Sequence, residues 1–243
     1  MSGFDTVIFE KTGHIARVIL NRPRELNAFN IKMRDDLFEI LCAIKMDNEI
    51  RVVILSGKGE KAFCAGADLS EFLTAPPPVK ARRVRFRRDL WSLFLSLPQP
   101  TIAAVYGFVL GSGLEMALCC DIRIASDDAK FGLPEVGLGI IPAAGGTQTL
   151  PRAIGQSKAM EMLLSNKWID SEEAQAFRLI NRIVKRDKLM EHAEILAEKI
   201  ASHDPAAVQM AKQAIVRGMD MTLVQGLNLE KELSMKLRGM RIK

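Results

Sequence analysis

Two glutamates stand where their charge is hard to accommodate. Glu115 lies in Leu114-Glu115-Met116-Ala117-Leu118-Cys119-Cys120, with apolar neighbours on both sides. A helix that is apolar all round is a buried helix. An ionised carboxylate inside one costs several kcal/mol, roughly, unless it is paired. A buried glutamate capped by an arginine would satisfy the same pattern. Glu135 sits in Phe131-Gly132-Leu133-Pro134-Glu135-Val136-Gly137-Leu138-Gly139, a run of apolar and small residues. If that loop excludes water, desolvation favours the protonated acid and makes a proton donor near neutral pH. If it does not, Glu135 is an ordinary solvated carboxylate.

Two glycine-rich stretches accompany these acids: Phe63-Cys64-Ala65-Gly66-Ala67-Asp68-Leu69 and Gly107-Phe108-Val109-Leu110-Gly111-Ser112-Gly113-Leu114-Glu115. Small residues let a backbone approach a ligand, and a helix starting at 111–113 would aim free N–H groups at it. Paired donors of that kind stabilise an oxyanion developing on a carbonyl or thioester. Neither stretch fits the dinucleotide pattern G-x-G-x-x-G, and there is no P-loop. The three histidines, His14, His192 and His203, lie away from these motifs in sequence. The four cysteines, Cys42, Cys64, Cys119 and Cys120, sit in apolar stretches without metal-ligand spacing, and are expected as reduced core thiols of a cytoplasmic protein. No metal site is expected. The residues point to acid–base chemistry on a carbonyl compound, and by themselves stop there.

An α/β framework is expected to position them. Residues 7–10 and 14–20 read as a hairpin turning at Thr12-Gly13. A helix follows over Ile31–Met46, with Met33, Leu37, Ile40, Leu41 and Ile44 on one face. Residues 51–55, 101–106 and 121–125 are buried-strand candidates separated by helical stretches, as in a parallel sheet. After about residue 155 the pattern turns helical: 156–164, 171–177, 188–202, 205–219 and from about 222 onward. Asp204-Pro205 is a strong helix start, an N-cap carboxylate followed by proline at the first position.

The chain has 243 residues, 48% of them hydrophobic and 26% charged, which suits one globular domain, or one domain with a helical appendage. No apolar run reaches the roughly eighteen residues of a membrane span. The first residues are neither basic nor strongly apolar, so no secretory signal is expected. The net charge is +5, and Lys80, Arg82, Arg83, Arg85, Arg87 and Arg88 cluster just after Pro76-Pro77-Pro78. Such a patch attracts phosphates, or is simply a solvated helix face.

Taken together, these motifs resemble the crotonase (enoyl-CoA hydratase/isomerase) superfamily over about residues 5–235. The resemblance rests on Asn21-Arg22-Pro23 with Asn27-Ala28, on both glycine-rich stretches, on Phe131-Gly132-Leu133-Pro134-Glu135, and on residues 139–147, all in the family's order and spacing. It implies a spiral of ββα turns as a core over 1–190, and a C-terminal helical region over 191–243 that packs trimers or hexamers. The substrate implied is an acyl-CoA thioester, with no separate cofactor. The backbone N–H groups of Ala67 and Ser112 would form the oxyanion hole. Glu115 would activate and orient water, and Glu135 would exchange a proton at the α-carbon. Coenzyme A would meet backbone around Arg24, Glu25, Leu26 and Ala28, then Ala65, Gly66, Asp68 and Leu69, with Lys61 near phosphates. Gly111 and Pro134 would also line the substrate. Leu69, Phe72, Leu73, Phe86, Leu90 and Trp91 lie where the family lines its acyl pocket, or are ordinary core.

Both glutamates favour hydration of an enoyl-CoA; double-bond isomerisation and specialised dehydration are the alternatives within the superfamily. A more distant reading is an RNA-binding protein using the basic stretch at 80–88, although two Trp and one Tyr provide no evident stacking platform. Three departures stand out. Ser112 replaces a usual glycine, Tyr106 a common asparagine. The C-terminal helix that brings a lysine to the coenzyme looks shortened, which would leave the acyl tunnel more open unless Lys236, Arg238, Arg241 and Lys243 substitute.

Overall fold

The computed structural model describes residues 4–72 and 88–241. The elements in order are β1 (Val7–Thr12), β2 (Ile15–Leu20), α1 (Ile31–Met46), β3 (Val52–Gly57), β4 (Ala62–Cys64), α2 (Leu69–Phe72), α3 (Leu90–Leu95), β5 (Thr101–Val105), β6 (Phe108–Leu110), α4 (Ser112–Cys119), β7 (Ile122–Ser126) and β8 (Lys130–Gly132). A 3-10 turn (Pro134–Leu138) comes next. Then follow α5 (Gly146–Ile154), α6 (Gln156–Leu164), β9 (Ile169–Asp170), α7 (Ser171–Ala176), β10 (Arg182–Val184), α8 (Leu189–Ala201), α9 (Pro205–Gly218) and α10 (Leu223–Arg241).

The strands form two sheets, one in the order β1-β2-β3-β5-β7-β10 and one in the order β4-β6-β8-β9. β1 and β2 are the expected antiparallel hairpin, with Thr12 opposite Ile15. From β2 to β10 the large sheet is parallel. The chain winds as a spiral: β3 then β4, β5 then β6, and β7 then β8 each give one strand to either sheet before a helical segment returns the chain. The small sheet was not legible in the sequence. Its strands are two or three residues long, too short for any period to register. The C-terminal third is also less purely helical than its pattern predicts, because β9 and β10 lie within it. The helix Gly146–Ile154 was missed as well; Pro151 inside it reads as a breaker.

α1 has the predicted bounds, and its five apolar face residues are all buried. It starts on Asn30, whose side chain accepts the Met33 N–H at 2.8 Å, the usual N-cap arrangement. α8 lies across β2, β3, β5 and β7 with Leu189, Ala193, Ala197 and Ala201 buried. Alanine at four-residue spacing lets a helix backbone sit close to a sheet. α9 begins on its predicted cap, Asp204 to the Ala207 N–H at 2.8 Å. Lys212 ties it to the core, 2.7 Å from the Asp121 carboxylate. Among the described residues no helix is long and apolar enough to cross a membrane.

Candidate active site

α4 is short, and every one of its residues is buried. It starts where β6 ends, on Gly111, at φ +49° and ψ −124°, a left-handed backbone that glycine adopts without strain. Ser112 is not among the residues with positive φ. The β-carbon it carries in place of a glycine is therefore accommodated, and the demanding conformation belongs to Gly111. At the far end of the helix the half-buried Arg123 donates to the carbonyls of Ala117, Cys120 and Leu179. That cation satisfies carbonyls the last turn leaves open.

Glu115 is 2% exposed. Its Oε1 accepts the backbone N–H groups of Ala144 and Gly146, each at 2.9 Å. The residue thus sits in the first turn of α4, where the helix N-terminus favours negative charge, and is held by the loop ahead of α5. A β-carbon on Gly146 would come 3.0 Å from Glu115 Oε1 and 2.9 Å from Pro142 Cβ. The glycine is what allows that loop to close over the carboxylate. Residues 139–147 carried the motif in the sequence, but nothing in their types announced that two of their amides grip Glu115.

Glu135 lies in the 3-10 turn after β8 and is half-buried. Its Oε2 is buried without a hydrogen-bond partner. Desolvation, with the nearby Glu115 carboxylate adding in the same direction, raises its pKa to about 7. Its other oxygen lies beside Gly111, where an added β-carbon would be 2.9 Å from Oε1. The two acids therefore converge on the N-terminus of α4: one anchored by backbone amides, one poised near neutrality.

The two glycine-rich stretches meet there. A β-carbon on Gly111 would be 3.3 Å from the Gly66 Cα, so Ala67 and Ser112 are adjacent successors of touching glycines. Ala67 forms a parallel bridge with Phe29, in which the Phe29 N–H donates to Gly66 and the Asp68 N–H donates to Phe29. This register turns the Ala67 N–H away from residue 29. Ser112, first in α4, has an N–H that the helix leaves open.

A family model described as enoyl-CoA hydratase/isomerase matches residues 10–239. The chain belongs to the enoyl-CoA hydratase/isomerase family. It is 43% identical over 223 residues to the (E)-benzylidenesuccinyl-CoA hydratase of Thauera aromatica, covering 91% of this chain and 86% of that protein. To the short-chain-enoyl-CoA hydratase of Clostridium acetobutylicum it is 42% identical over 229 residues, covering 94% and 87%. Among solved structures, an enoyl-CoA hydratase from Bacillus anthracis superposes with a TM-score of 0.91 at 40% identity, covering 97% of this chain and 95% of that one. The spiral architecture expected from the resemblance is thus the observed one.

Within this enoyl-CoA hydratase/isomerase chain, residues 22–30 bound the site on one side. Asn27, fully buried, accepts the Arg22 N–H and donates to the carbonyls of Lys58 and Ala62, all at 2.9 Å. The Ala65 N–H donates to Leu26 at 3.1 Å, and Ala28 accepts from the Arg22 guanidinium. Arg24 and Glu25 are exposed on the 3-10 turn Pro23–Glu25, and Lys61 is exposed as well. The Asp68 carboxylate pairs with Arg22 at 2.9 Å; the Ser70 hydroxyl and then that guanidinium hold it below its ordinary value. Asp68 thus acts within the protein, tying the two loops together. Asn27 and Arg22 were legible only as parts of a motif, without their bonding.

Tyr106 supports the neighbouring loop: its hydroxyl donates to Gly59 at 2.8 Å, and the Arg186 guanidinium stacks 3.3 Å from its ring centre. Leu69 is exposed, Leu90 is core, and Trp91 packs on Phe29 at 5.6 Å. Leu73, Phe86 and the Phe72 side chain lie outside the described residues. So does the basic stretch except Arg88, which reaches Asp35 and Glu39 of α1. Cys64, Cys119 and Cys120 are buried and free. Burial pushes the Cys64 and Cys120 thiols up to about 12, far from a nucleophile's range. No cluster of three metal-ligating side chains occurs among the described residues.

Proposed function

We propose that the protein is an enoyl-CoA hydratase that adds water reversibly across the 2,3 double bond of an enoyl-CoA thioester. The observation that carries this reading is the pairing of an anchored, buried Glu115 with a desolvated Glu135 at one helix N-terminus. Water held by Glu115 forms a bond from its oxygen to C3. The double-bond electrons move toward the thioester oxygen, which the N–H groups of Ala67 and Ser112 receive as an oxyanion hole. Each such donor contributes about 3 kcal/mol where comparable sites have been dissected. Protonated Glu135 delivers its proton to C2, and Glu115 takes the proton lost by water. The pair then resets by exchanging a proton through solvent. A Glu135 pKa near 7 suits both directions, because the residue is populated as acid and as base.

Coenzyme A enters as part of the substrate, and no other cofactor is expected. Its nucleotide end fits the edge formed by Arg24, Glu25, Leu26, Ala28 and Lys61. Ala65, Gly66, Asp68 and Leu69 follow toward the reacting centre, with Gly111 and Pro134 beyond. We read the protein as a homotrimer or hexamer, and its free thiols suit a reducing cytoplasm. The test is a panel of enoyl-CoAs of different length and branching, read by mass spectrometry. Hydration adds the mass of one water. A product of unchanged mass would instead establish isomerisation, and no conversion of any member would overturn the assignment.

A further inference from the structure

Glu135 is held by little of its own: one oxygen has no partner, and most of its segment, 133–139, is exposed. What keeps the carboxyl against Gly111 lies behind that segment. After α6 the chain makes a turn through Asn166, at φ +55°, into β9, which pairs antiparallel with β8. The register sets Trp168 across from Gly132. A β-carbon on Gly132 would come 2.5 Å from Trp168 Cδ1, and one on Gly137 would come 2.4 Å from Asn166 Nδ2. The indole therefore lies flat on one glycine and the amide on the other, at the two ends of the segment that presents Glu135. Phe108 braces the indole from its edge, centres 6.1 Å apart and planes at 72°. The Gly132 carbonyl in turn accepts the Gly111 N–H at 3.0 Å, which links the indole to the glycine facing the carboxyl.

We propose that the turn carrying Asn166 and Trp168 is a positioning clamp for Glu135, pressing on Gly132 and Gly137 so that the carboxyl stays against Gly111 and out of water. The catalytic role of Glu135 rests on the hydratase reading; the clamp does not. Apart from Glu115, whose carboxylate acts in the same direction as desolvation, the neighbouring charges are paired elsewhere. Glu115 faces Glu135 from α4. On α6, which packs on the 3-10 turn, Lys158 pairs with Glu161. Lys167 is turned to Glu161 and Glu173, Lys130 to Asp170, and Arg152 to Asp220. Desolvation is the main influence on Glu135, and desolvation is what a clamp governs.

The test is a carboxyl titration of protein labelled with 13C-glutamate, with the Glu135 signal assigned by its loss in Glu135→Gln. In Trp168→Ala the midpoint should fall by about one unit or more toward the ordinary glutamate value. In Trp168→Phe, which restores a ring on Gly132, it should stay near wild type. Asn166→Gly keeps a residue suited to positive φ while removing the amide from Gly137, and should lower the midpoint too. It carries the test if Trp168→Ala does not fold. Hydration kinetics add a second reading: the high-pH limb of kcat/KM should move down with the midpoint, and turnover should drop roughly tenfold or more. An unchanged midpoint in a folded Trp168→Ala or Asn166→Gly protein overturns the clamp. A wild type inactive on every enoyl-CoA would overturn the hydratase reading while the titration still decides the clamp.

Discussion

At the scale of single residues, Glu115 and Glu135 are held differently and should fail differently. Replacing either by glutamine keeps the shape and removes the proton chemistry, so hydration should drop roughly 100-fold or more in each variant. Retention of full rate by one variant would remove that residue from the mechanism. Stability separates them further. The Glu135 pKa is raised on folding to about 7, so the folded state binds a proton the unfolded state releases earlier. Its contribution is fully present below the ordinary glutamate value and is lost as pH rises through about 7. Glu135→Gln should therefore melt higher than wild type at pH 8 and equally at pH 4. Equal melting temperatures at both pH values would refute the burial argument. Burial cost made Glu115 conspicuous in the sequence. Glu135 drew its case from the motif, because loop residues carry no periodicity from which exposure can be read.

At the scale of elements, the site is a junction of loops held by backbone contacts that tolerate no extra atoms. Gly146→Ala would drive a methyl against Glu115 Oε1, Pro142 and Leu133. The expected outcome is a loss of turnover larger than the loss of stability, measured by kinetics and urea unfolding on the same sample. Asn27→Ala removes one buried partner from three backbone groups, those of Arg22, Lys58 and Ala62. At about 1–3 kcal/mol per group left unpaired, it should destabilise the fold by about 3 kcal/mol or more, read as a lower urea midpoint. A shift within error would mean that water replaces the amide. α1, α6 and the cap at Asp204 followed directly from local pattern, since helix periodicity and N-cap chemistry are written in consecutive residues. The four short strands of the second sheet follow only from pairing across the spiral.

At the scale of the whole molecule, the C-terminal helices expose several large apolar side chains. Ile215, Met219, Leu223, Val224 and Leu227 of α9, α10 and the turn between them are exposed, Leu223 by 78%. Large apolar side chains exposed together are what an interface would cover. If the protein is a trimer or hexamer, sedimentation should give that mass for the wild type. Leu223→Glu with Leu227→Glu should shift it to smaller species with the secondary structure retained. A monomeric wild type would refute the assembly reading. Of the positively charged stretch at 80–88, only Arg88 lies among the described residues.

The sequence by itself determined the α/β class, the long periodic helices with the Asp204 cap, and the two acids and two glycine-rich turns of the candidate site. It could do so because those signals are local: period, cap, φ-permissive glycine, charge in apolar company. Tertiary structure decided which atoms meet. The backbone amides of Ala144 and Gly146 gripping Glu115, Gly66 lying against Gly111, and Trp168 seated on Gly132 join residues from different turns of the spiral. A backbone N–H has the same chemistry in nearly every residue, so only the packed chain can say which of them faces a carboxylate.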